Sequence, residues 1–292
     1  MKKDSSWKGS LSLDFGVRNS KTVLTRFRKE GPLAVQRLFY PEKVEDQMVT
    51  PAHGYILHPP GGLVSGDELF IEIELQERSH ALITTPAATK VYRAKESGIQ
   101  RQRTSLKLSK GAALEYLPQE TIVFSGARAE FDTTIELEES KLVYCSLVCL
   151  GRPEAGETFA LGSYKETLCL SAGGQLLLKE HFSLVGEDEE MPAAAALNSP
   201  LVLGGYPVSS LFIATGFTGN CETLKKVLLE IKAIDKPQLP HYRGASLLGS
   251  ILVARSVGPS TMAANYYNRV IWKLIRPHLF QREAVSPRIW RT

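Results

Sequence analysis

The sequence lacks the cysteine and histidine spacings that usually hold a structural metal. Its six histidines never form an H-x-x-x-H or H-x-H pattern, and none follows a cysteine pair at zinc-finger spacing. The cysteines form no C-x-x-C pair, and their spacing indicates no disulfide framework. We therefore expect free thiols that pack as small apolar side chains. The four are Cys145, Cys149, Cys169 and Cys221.

Long apolar runs and an excess of charge of one sign are also missing. No stretch of about 18 uncharged apolar residues occurs, and the segment Met1 to Trp7 has no apolar run of signal-peptide length. Lysine and arginine number 35 against 31 aspartate and glutamate, with the two signs interspersed. This predicts a soluble, cytoplasmic protein and argues against a nucleic-acid or membrane partner.

Short β-patterned runs fill most of the chain. In Leu69 to Leu75, apolar residues alternate with Glu72 and Glu74, which is typical of a half-buried strand. Gly, Pro and Ser clusters separate similar runs, so we predict a mainly β structure with sheets packed over an elongated core. The other runs are 11–15, 22–27, 33–40, 80–84, 104–108, 131–137, 141–150, 162–170, 175–184, 210–215 and 250–257.

Two segments have helical periodicity instead. Leu224, Val227, Leu228 and Ile231 follow a possible cap at Asn220 and predict an amphipathic helix at about 220–233. A second apolar stripe predicts a helix at about 260–276 that Pro277 ends. The acidic and alanine-rich stretch between residues 186 and 200 reads as a loop, and no domain boundary stands out.

No known catalytic motif is present. His58-Pro59-Pro60-Gly61-Gly62 has neither the lysine nor the helix of a phosphate-binding loop, and no G-x-S-x-G elbow occurs. Asp67 precedes a strand and fits a turn, while Glu115 and Glu120 flank Leu117-Pro118-Gln119 and are expected to face solvent. One alternative is a β-rich hydrolase in which Asp67 and Glu115 or Glu120 act as acid and base.

Ordered motifs along the chain resemble the UreD family of urease accessory proteins, also called UreH. They span residues 31 to 291, so the resemblance covers nearly the whole chain. The blocks, in the family's order, are Gly31-Pro32-Leu33 with Phe39-Tyr40-Pro41-Glu42, His58-Pro59-Pro60-Gly61-Gly62 with Gly66-Asp67, Thr84 to Arg93, Leu114 to Glu120, Leu150-Gly151-Arg152-Pro153 with Gly156-Glu157-Thr158-Phe159, and Leu274-Ile275-Arg276-Pro277 with Pro287-Arg288-Ile289-Trp290.

The resemblance implies a fold and a role. The implied fold is an elongated right-handed helical β structure with two α-helices, a single domain over residues 1–292 with a helical segment at about 259–292 packed on it. The implied role is that of a non-enzymatic scaffold. It would join UreF and the GTPase UreG on apo-urease, dimeric within that complex, and conduct nickel through an internal tunnel to the urease active site.

The resemblance also implies residues for this path. Asp67 and Glu180 would contact transient nickel(II), and no permanently bound cofactor is expected. The tunnel lining would include Thr89, Arg152 and Ser146, a hydroxyl where the family usually has an acid. Glu115 and Glu120 are secondary candidates. Isolated carboxylates suit such a path, because a closed cage of His or Cys would hold nickel too tightly to release it.

Aromatic residues near the C-terminus are the candidate partner-binding residues, since aromatics anchor many interfaces. The alternative is that they pack the second helix onto the sheet. A binding module with no metal role also remains open. The aromatics are Tyr266, Tyr267, Trp272, Phe280 and Trp290.

Overall fold

The chain folds mainly into β-strands that form two facing sheets. The computed structural model describes residues 7–43, 48–95, 98–186, 197–217 and 221–291. The strands, numbered along the chain, are β1 (Lys8–Arg18), β2 (Lys21–Glu30), β3 (Ala34–Val35), β4 (Ala52–Leu57), β5 (Glu68–Leu75), β6 (His80–Thr84), β7 (Thr89–Val91), β8 (Gln100–Leu108), β9 (Ala113–Tyr116), β10 (Thr121–Val123), β11 (Arg128–Leu137), β12 (Lys141–Arg152), β13 (Glu157–Thr158), β14 (Gly162–Ala172), β15 (Gln175–Gly186), β16 (Val208–Thr215), β17 (Tyr242–Leu248) and β18 (Ile251–Gly258).

The middle of the chain coils by alternating between the sheets. The first sheet has the order β15-β14-β11-β8-β5-β1-β2, and the second has the order β17-β18-β16-β12-β9-β6-β4-β3. From β4 to β14 the chain visits the two sheets in turn, and the strands that become neighbours pair in parallel. The result is a solenoid-like coil of about four turns. Short β10 pairs in parallel with β7 and β12 beside it.

The second sheet is covered on both faces. Along β12, Leu142, Tyr144 and Val148 point into the core between the sheets, whereas Val143 and Cys145 pack under the C-terminal helix. This alternation follows from the two-residue period of a strand. Strands in this position are buried on both faces, as β4 and β9 show.

The described part of the chain contains two long α-helices, as predicted, one between β16 and β17 and one after β18. Helix α1 spans Cys221–Lys232 and α2 spans Thr261–Phe280. The predicted cap at Asn220 lies outside the described residues, as do residues 187–196 of the predicted loop. The predicted end of α2 at 276 was wrong, because Pro277 lies within the last turn. The amide of Gln281 closes that turn by donating to the carbonyl of Pro277 at 3.0 Å.

The mainly β helical architecture is confirmed, with the two predicted helices present in the described part of the chain. Some details differ, since the run 33–40 contains only the two-residue strand β3, while β4 and β9 were not predicted. Cys145 and Cys149 are buried free thiols, as expected. Neither helix in the described part of the chain is both long and apolar enough to cross a lipid bilayer.

Candidate functional site

Two cavities lie between the sheets and meet at one point. The narrow cavity has a volume of about 140 Å³ and follows the coil from His58 and Thr89 toward Tyr144. The wide cavity has a volume of about 410 Å³ and is lined by Glu180 and Arg255 among others. Both are lined by Ser146 and Glu166, which therefore stand at the junction of the two cavities. Together the cavities form a candidate passage along the inside of the coil.

The register of the first sheet explains why the core is open here. One inward-facing row across β1, β5, β8, β11 and β14 is wholly apolar: Leu13, Ile73, Leu106, Ile135 and Leu170. The neighbouring inward row, two residues nearer the start of each strand, contains Thr104 and Thr133. The next inward row in the same direction contains Gln102 and Glu166. Polar side chains thus replace core residues at one end of the strands, and the narrow cavity lies over them.

Glu166 is the carboxylate at the junction of the cavities. Its side chain accepts hydrogen bonds from the hydroxyl of Ser146 and, at 2.9 Å, from the hydroxyl of Tyr164. Burial between the sheets raises the pKa of Glu166, and these two hydrogen bonds offset only part of that effect. Glu166 therefore has hydroxyl partners rather than a cationic one in the described structure.

Tyrosine hydroxyls surround the same region. Burial raises the pKa of Tyr116 to about 12, and the pKa values of Tyr144 and Tyr164 lie well above the usual range because of burial and the nearby Glu166. These phenols are therefore neutral at physiological pH. They offer oxygen atoms along the passage without adding fixed charge.

An ion pair crosses the wide cavity. Glu180 lies on β15 in the first sheet, and Arg255 lies on β18 in the second. Nη2 of Arg255 is 2.5 Å from Oε1 of Glu180. The two side chains are 48% and 27% exposed for arginine and glutamate respectively, so the pair is in contact with solvent.

The other end of the passage is bounded by the turn at His58 and by β7. The amide of Gly61 donates to the carbonyl of His58 at 2.9 Å and closes this turn. Gly62 must be glycine, because a Cβ there would lie 2.6 Å from the carbonyl oxygen of Lys90. Thr89 lines the narrow cavity, as the resemblance implied. Burial lowers the pKa of His58, an effect that Asp67 partly offsets.

Glu115 has a different environment from the one expected. It is fully buried, so the expectation that it faces solvent was wrong. Its carboxylate accepts hydrogen bonds from Arg276 and Trp272 of α2, and it lies 2.8 Å from Nε2 of His80. Burial opposes ionisation of Glu115, but Arg276 and His80 outweigh burial and hold its pKa well below the usual range.

Arg276 also binds a second buried carboxylate. Its Nη2 is 2.5 Å from Oε1 of Glu42, which in turn lies 2.8 Å from Nε2 of His53. The side chain of Arg276 is 0% exposed and that of Glu42 is 3% exposed. We call Glu42, His53, His80, Glu115 and Arg276 the buried ionic cluster. It fastens α2 to the second sheet.

The remaining predicted path residues lie apart from the two cavities. Asp67 accepts backbone hydrogen bonds from Trp7 and Val64, both at 2.8 Å, which is the contact pattern of a turn aspartate. Arg152 pairs with Glu157 on the surface. Glu120 accepts a hydrogen bond from Asn265 of α2 at 2.9 Å. Thr89, Ser146 and Glu180 are therefore the predicted path residues that line the passage.

The predicted partner-binding aromatics divide into two groups. Tyr267, Trp272 and Phe280 are 2%, 1% and 6% exposed and pack against the second sheet. Trp290 is partly buried and donates to the hydroxyl of Thr84 at 3.0 Å. Tyr266 is 36% exposed and lines a surface groove. Packing of α2 thus accounts for the buried aromatics, and Tyr266 is available for contact from outside.

Chemically, the passage offers separated oxygen ligands rather than a cage. Within the described residues no three His, Cys, Asp or Glu side chains are grouped as a metal site. Asp67, Glu115 and Glu120 occupy a turn, the buried ionic cluster and a groove beside α2. This arrangement does not bring together the carboxylates of the hydrolase alternative.

Sequence reasoning missed Glu166 and Arg276. Glu166 had a readable signal, because it alternates with Tyr164, Leu168 and Leu170 at inward positions of β14. A carboxylate in the apolar register of a strand indicates a polar interior. Arg276 gave no such signal, since its partners are 161 and 234 residues away along the chain.

Comparison with known proteins gives one consistent family. The family described as UreD urease accessory protein matches residues 8–291. A urease accessory protein UreD of Chromohalobacter salexigens is 39% identical, covering 98% of this chain and 89% of that protein. The UreD proteins of a Janthinobacterium species and of Pseudomonas fluorescens are each 38% identical, covering 97% and 98% of this chain and 90% and 96% of those proteins. The chain therefore belongs to the UreD family of urease accessory proteins, whose role is in urease maturation.

Proposed function

We propose that this chain is a non-catalytic, cytoplasmic maturation factor that conducts nickel(II) to urease through the passage between its sheets. In this proposal it joins UreF and the GTPase UreG on apo-urease, dimeric within that complex. The observation that carries the proposal is the junction at Ser146 and Glu166, where two cavities from opposite ends of the coil meet. Membership of the UreD family is the reason for proposing nickel(II) as the transported ion and urease as its recipient.

The size of the passage suits a hydrated ion. A cavity needs roughly 10–15 Å³ to hold one water, and each water takes about 30 Å³ in the liquid, so the narrow cavity of about 140 Å³ has room for several waters. A divalent cation carries an octahedral shell of about six oxygen ligands. Nickel can therefore pass with part of its hydration shell, and exchange the other waters for oxygen atoms of the wall.

The wall chemistry suits transfer rather than storage. Glu166 and Glu180 each offer one carboxylate, while Thr89 and Ser146 offer hydroxyls. Carboxylate and hydroxyl oxygens bind nickel less tightly than clusters of imidazole or thiolate. A row of such isolated contacts lets the ion enter and leave each position. Asp67 stays a weaker candidate, because both its oxygens already accept backbone hydrogen bonds.

The exposed start of α2 is the best candidate for partner contact. Met262 is 79% exposed and Tyr266 is 36% exposed, and both border the groove that contains Glu120. The other end of α2 is fixed by the buried ionic cluster. A partner that binds here would meet a surface held in place on the sheet. This proposal assigns contact to Tyr266 and not to the buried aromatics.

Blocking the junction tests the conduit directly. Ser146→Trp places an indole where the cavities meet, and we expect urease activation by nickel and GTP to fall by at least about tenfold while UreF, UreG and apo-urease still co-purify. Thr134→Trp is the matched control, because Thr134 is exposed on the outer face of β11. It should activate urease normally.

The outcome distinguishes two hypotheses, a nickel conduit and a binding module without a metal role. If Ser146→Trp assembles the complex and activates urease at the wild-type rate, nickel does not travel through this passage. A binding module without a metal role would then be the better account. A thermal melt of each variant is needed alongside, since overpacking at a strand costs about 1–3 kcal/mol.

A further inference from the structure

The ion pair between Glu180 and Arg255 has the position of a gate. Arg255 lies in the inward row of the second sheet that also holds Leu211 and Ser146, two strands from the junction. Glu180 lies opposite, on the edge strand of the first sheet. Their side chains meet across the wide cavity at 2.5 Å. We call the solvent-exposed end of the wide cavity, where this pair lies, the wide mouth. An ion that moves between the junction and the wide mouth passes beside the pair.

The pair controls the charge of the mouth. A free Glu180 would present a carboxylate to a divalent cation and hold it there by direct attraction. With the guanidinium of Arg255 bound, that carboxylate is neutralised and one of its oxygens is occupied. A cation must therefore displace Arg255 before it can bind Glu180.

Solvent exposure makes that displacement feasible. Half-exposed ion pairs gain little free energy, because water and salt screen the attraction. Arg255 is 48% exposed, whereas Arg276 of the buried ionic cluster is 0% exposed and has no route to water. The divalent charge of the arriving ion also doubles its attraction to the carboxylate relative to that of arginine.

We propose that Arg255 gates the wide mouth by occupying Glu180 until a divalent cation displaces it, so that the mouth passes the ion on instead of retaining it. This rests on the proposed conduit. The guanidinium returns to Glu180 when the ion leaves, which lowers the residence time of the ion at the mouth. Arg255 is thus a positioning residue for transfer and not a ligand.

Binding of Ni²⁺ to the full-length chain, measured by equilibrium dialysis at low salt, tests the competition. Arg255→Gln frees Glu180 and should tighten nickel binding by roughly twofold to fivefold, the factor by which an exposed ion pair competes. Arg255→Lys keeps the positive charge and should behave as wild type. In the double variant Arg255→Gln with Glu180→Gln, the gain should disappear.

Urease activation in the assembled complex provides the second readout. Arg255→Gln should reach half-maximal activation at a lower nickel concentration but with a lower maximal rate, because the ion leaves the mouth more slowly. Arg101→Gln is the control, since it breaks a pair with Glu130 on the outer surface with similar exposure. It should leave activation unchanged.

The results distinguish the gate from the conduit. The gate is wrong if Arg255→Gln binds nickel as the wild type does, or if the gain persists when Glu180 is also replaced. That result would leave the conduit standing as long as Ser146→Trp blocks activation. If Ser146→Trp activates normally, the conduit fails, and a tighter Arg255→Gln would then show only a local competition at the mouth.

Discussion

Removing Arg276 should destabilise the protein more than removing any surface arginine. The side chain of Arg276 is fully buried and compensates two buried carboxylates, Glu115 and Glu42. Arg276→Met keeps most of the side-chain volume but removes the arginine that is ion-paired with both carboxylates. Breaking a buried ion pair by removing one partner typically costs about 3–5 kcal/mol.

That cost is large compared with the stability of a folded chain. Total unfolding free energies are about 5–15 kcal/mol, so Arg276→Met should lose a substantial share. For a chain of this size each kcal/mol corresponds to about 2–4 °C, which predicts a melting temperature lower by roughly 6–20 °C. Differential scanning calorimetry and urea unfolding of the full chain measure this change.

A surface variant and a double variant make the test specific. Arg101→Met breaks half-exposed contacts with Glu68 and Glu130 and should cost less than about 1 kcal/mol. Arg276→Met combined with Glu115→Gln should cost less than the sum of the two changes, because the second removes a charge that the first leaves unpaired. The reasoning is refuted if Arg276→Met and Arg101→Met destabilise the chain equally.

Two further predictions concern pH and the junction. Burial lowers the pKa of His80 below its usual 6.5, and Arg276 and His80 hold the pKa of Glu115 below its usual 4.5. At these two residues the unfolded chain therefore binds more protons than the folded one as the pH falls. The melting temperature should therefore fall as the pH drops below about 6.5, and fall further below about 4.5; a flat profile from pH 7 to 4 would contradict this. The pKa of Glu166 is shifted in the opposite direction, because burial raises it. Ionisation of Glu166 therefore lowers the stability of the folded chain as the pH rises above about 4.5. Glu166→Gln should thus melt higher than wild type at pH 7, with a smaller difference at pH 4, yet activate urease more slowly; a variant that is both more stable and fully active would remove Glu166 from the path.

Much of the fold follows from local sequence pattern. The alternation in Leu69 to Leu75 predicts β5, and the structure places Ile71, Ile73 and Leu75 in the core with Glu72 and Glu74 outside. The same reasoning finds the other strands of the first sheet, since most of them have one face against the core and the other in solvent, although the edge strand β2 is largely exposed. Such strands carry the period-two signal.

Strands of the second sheet give a weaker signal. The residues of β9 are all buried, because the first sheet covers one face and α2 covers the other. A strand without an exposed face gives no reliable alternation, and Glu115 within Ala113 to Tyr116 suggests a solvent-facing position that the fold does not have. Only the tertiary arrangement shows that β9 is a central strand.

The candidate site was harder to predict for the same reason. The position of Asp67 before a strand correctly predicts a turn aspartate, since its carboxylate accepts hydrogen bonds from backbone amides. The environment of Glu115 depends on Arg276, which lies 161 residues later. No local pattern reports a contact over that distance. The junction of the passage likewise depends on strand pairing that brings β12 and β14 together across the core.

Three carboxylates show that the surroundings of an acidic side chain decide whether it stabilises the fold or can bind a passing cation. Glu115 is paired with Arg276 where neither has access to water, so its charge is already neutralised and a passing ion has no place to bind. Among the described residues the partners of Glu166 are hydroxyl groups, and a cation can replace those weaker contacts. Glu180 has a cationic partner, Arg255, but this arginine is about half exposed and can therefore be displaced. The count of acidic residues thus says little about a nickel path. What matters is whether the partner of each carboxylate can leave, and by that criterion the proposed path uses Glu166 and Glu180 and not Glu115.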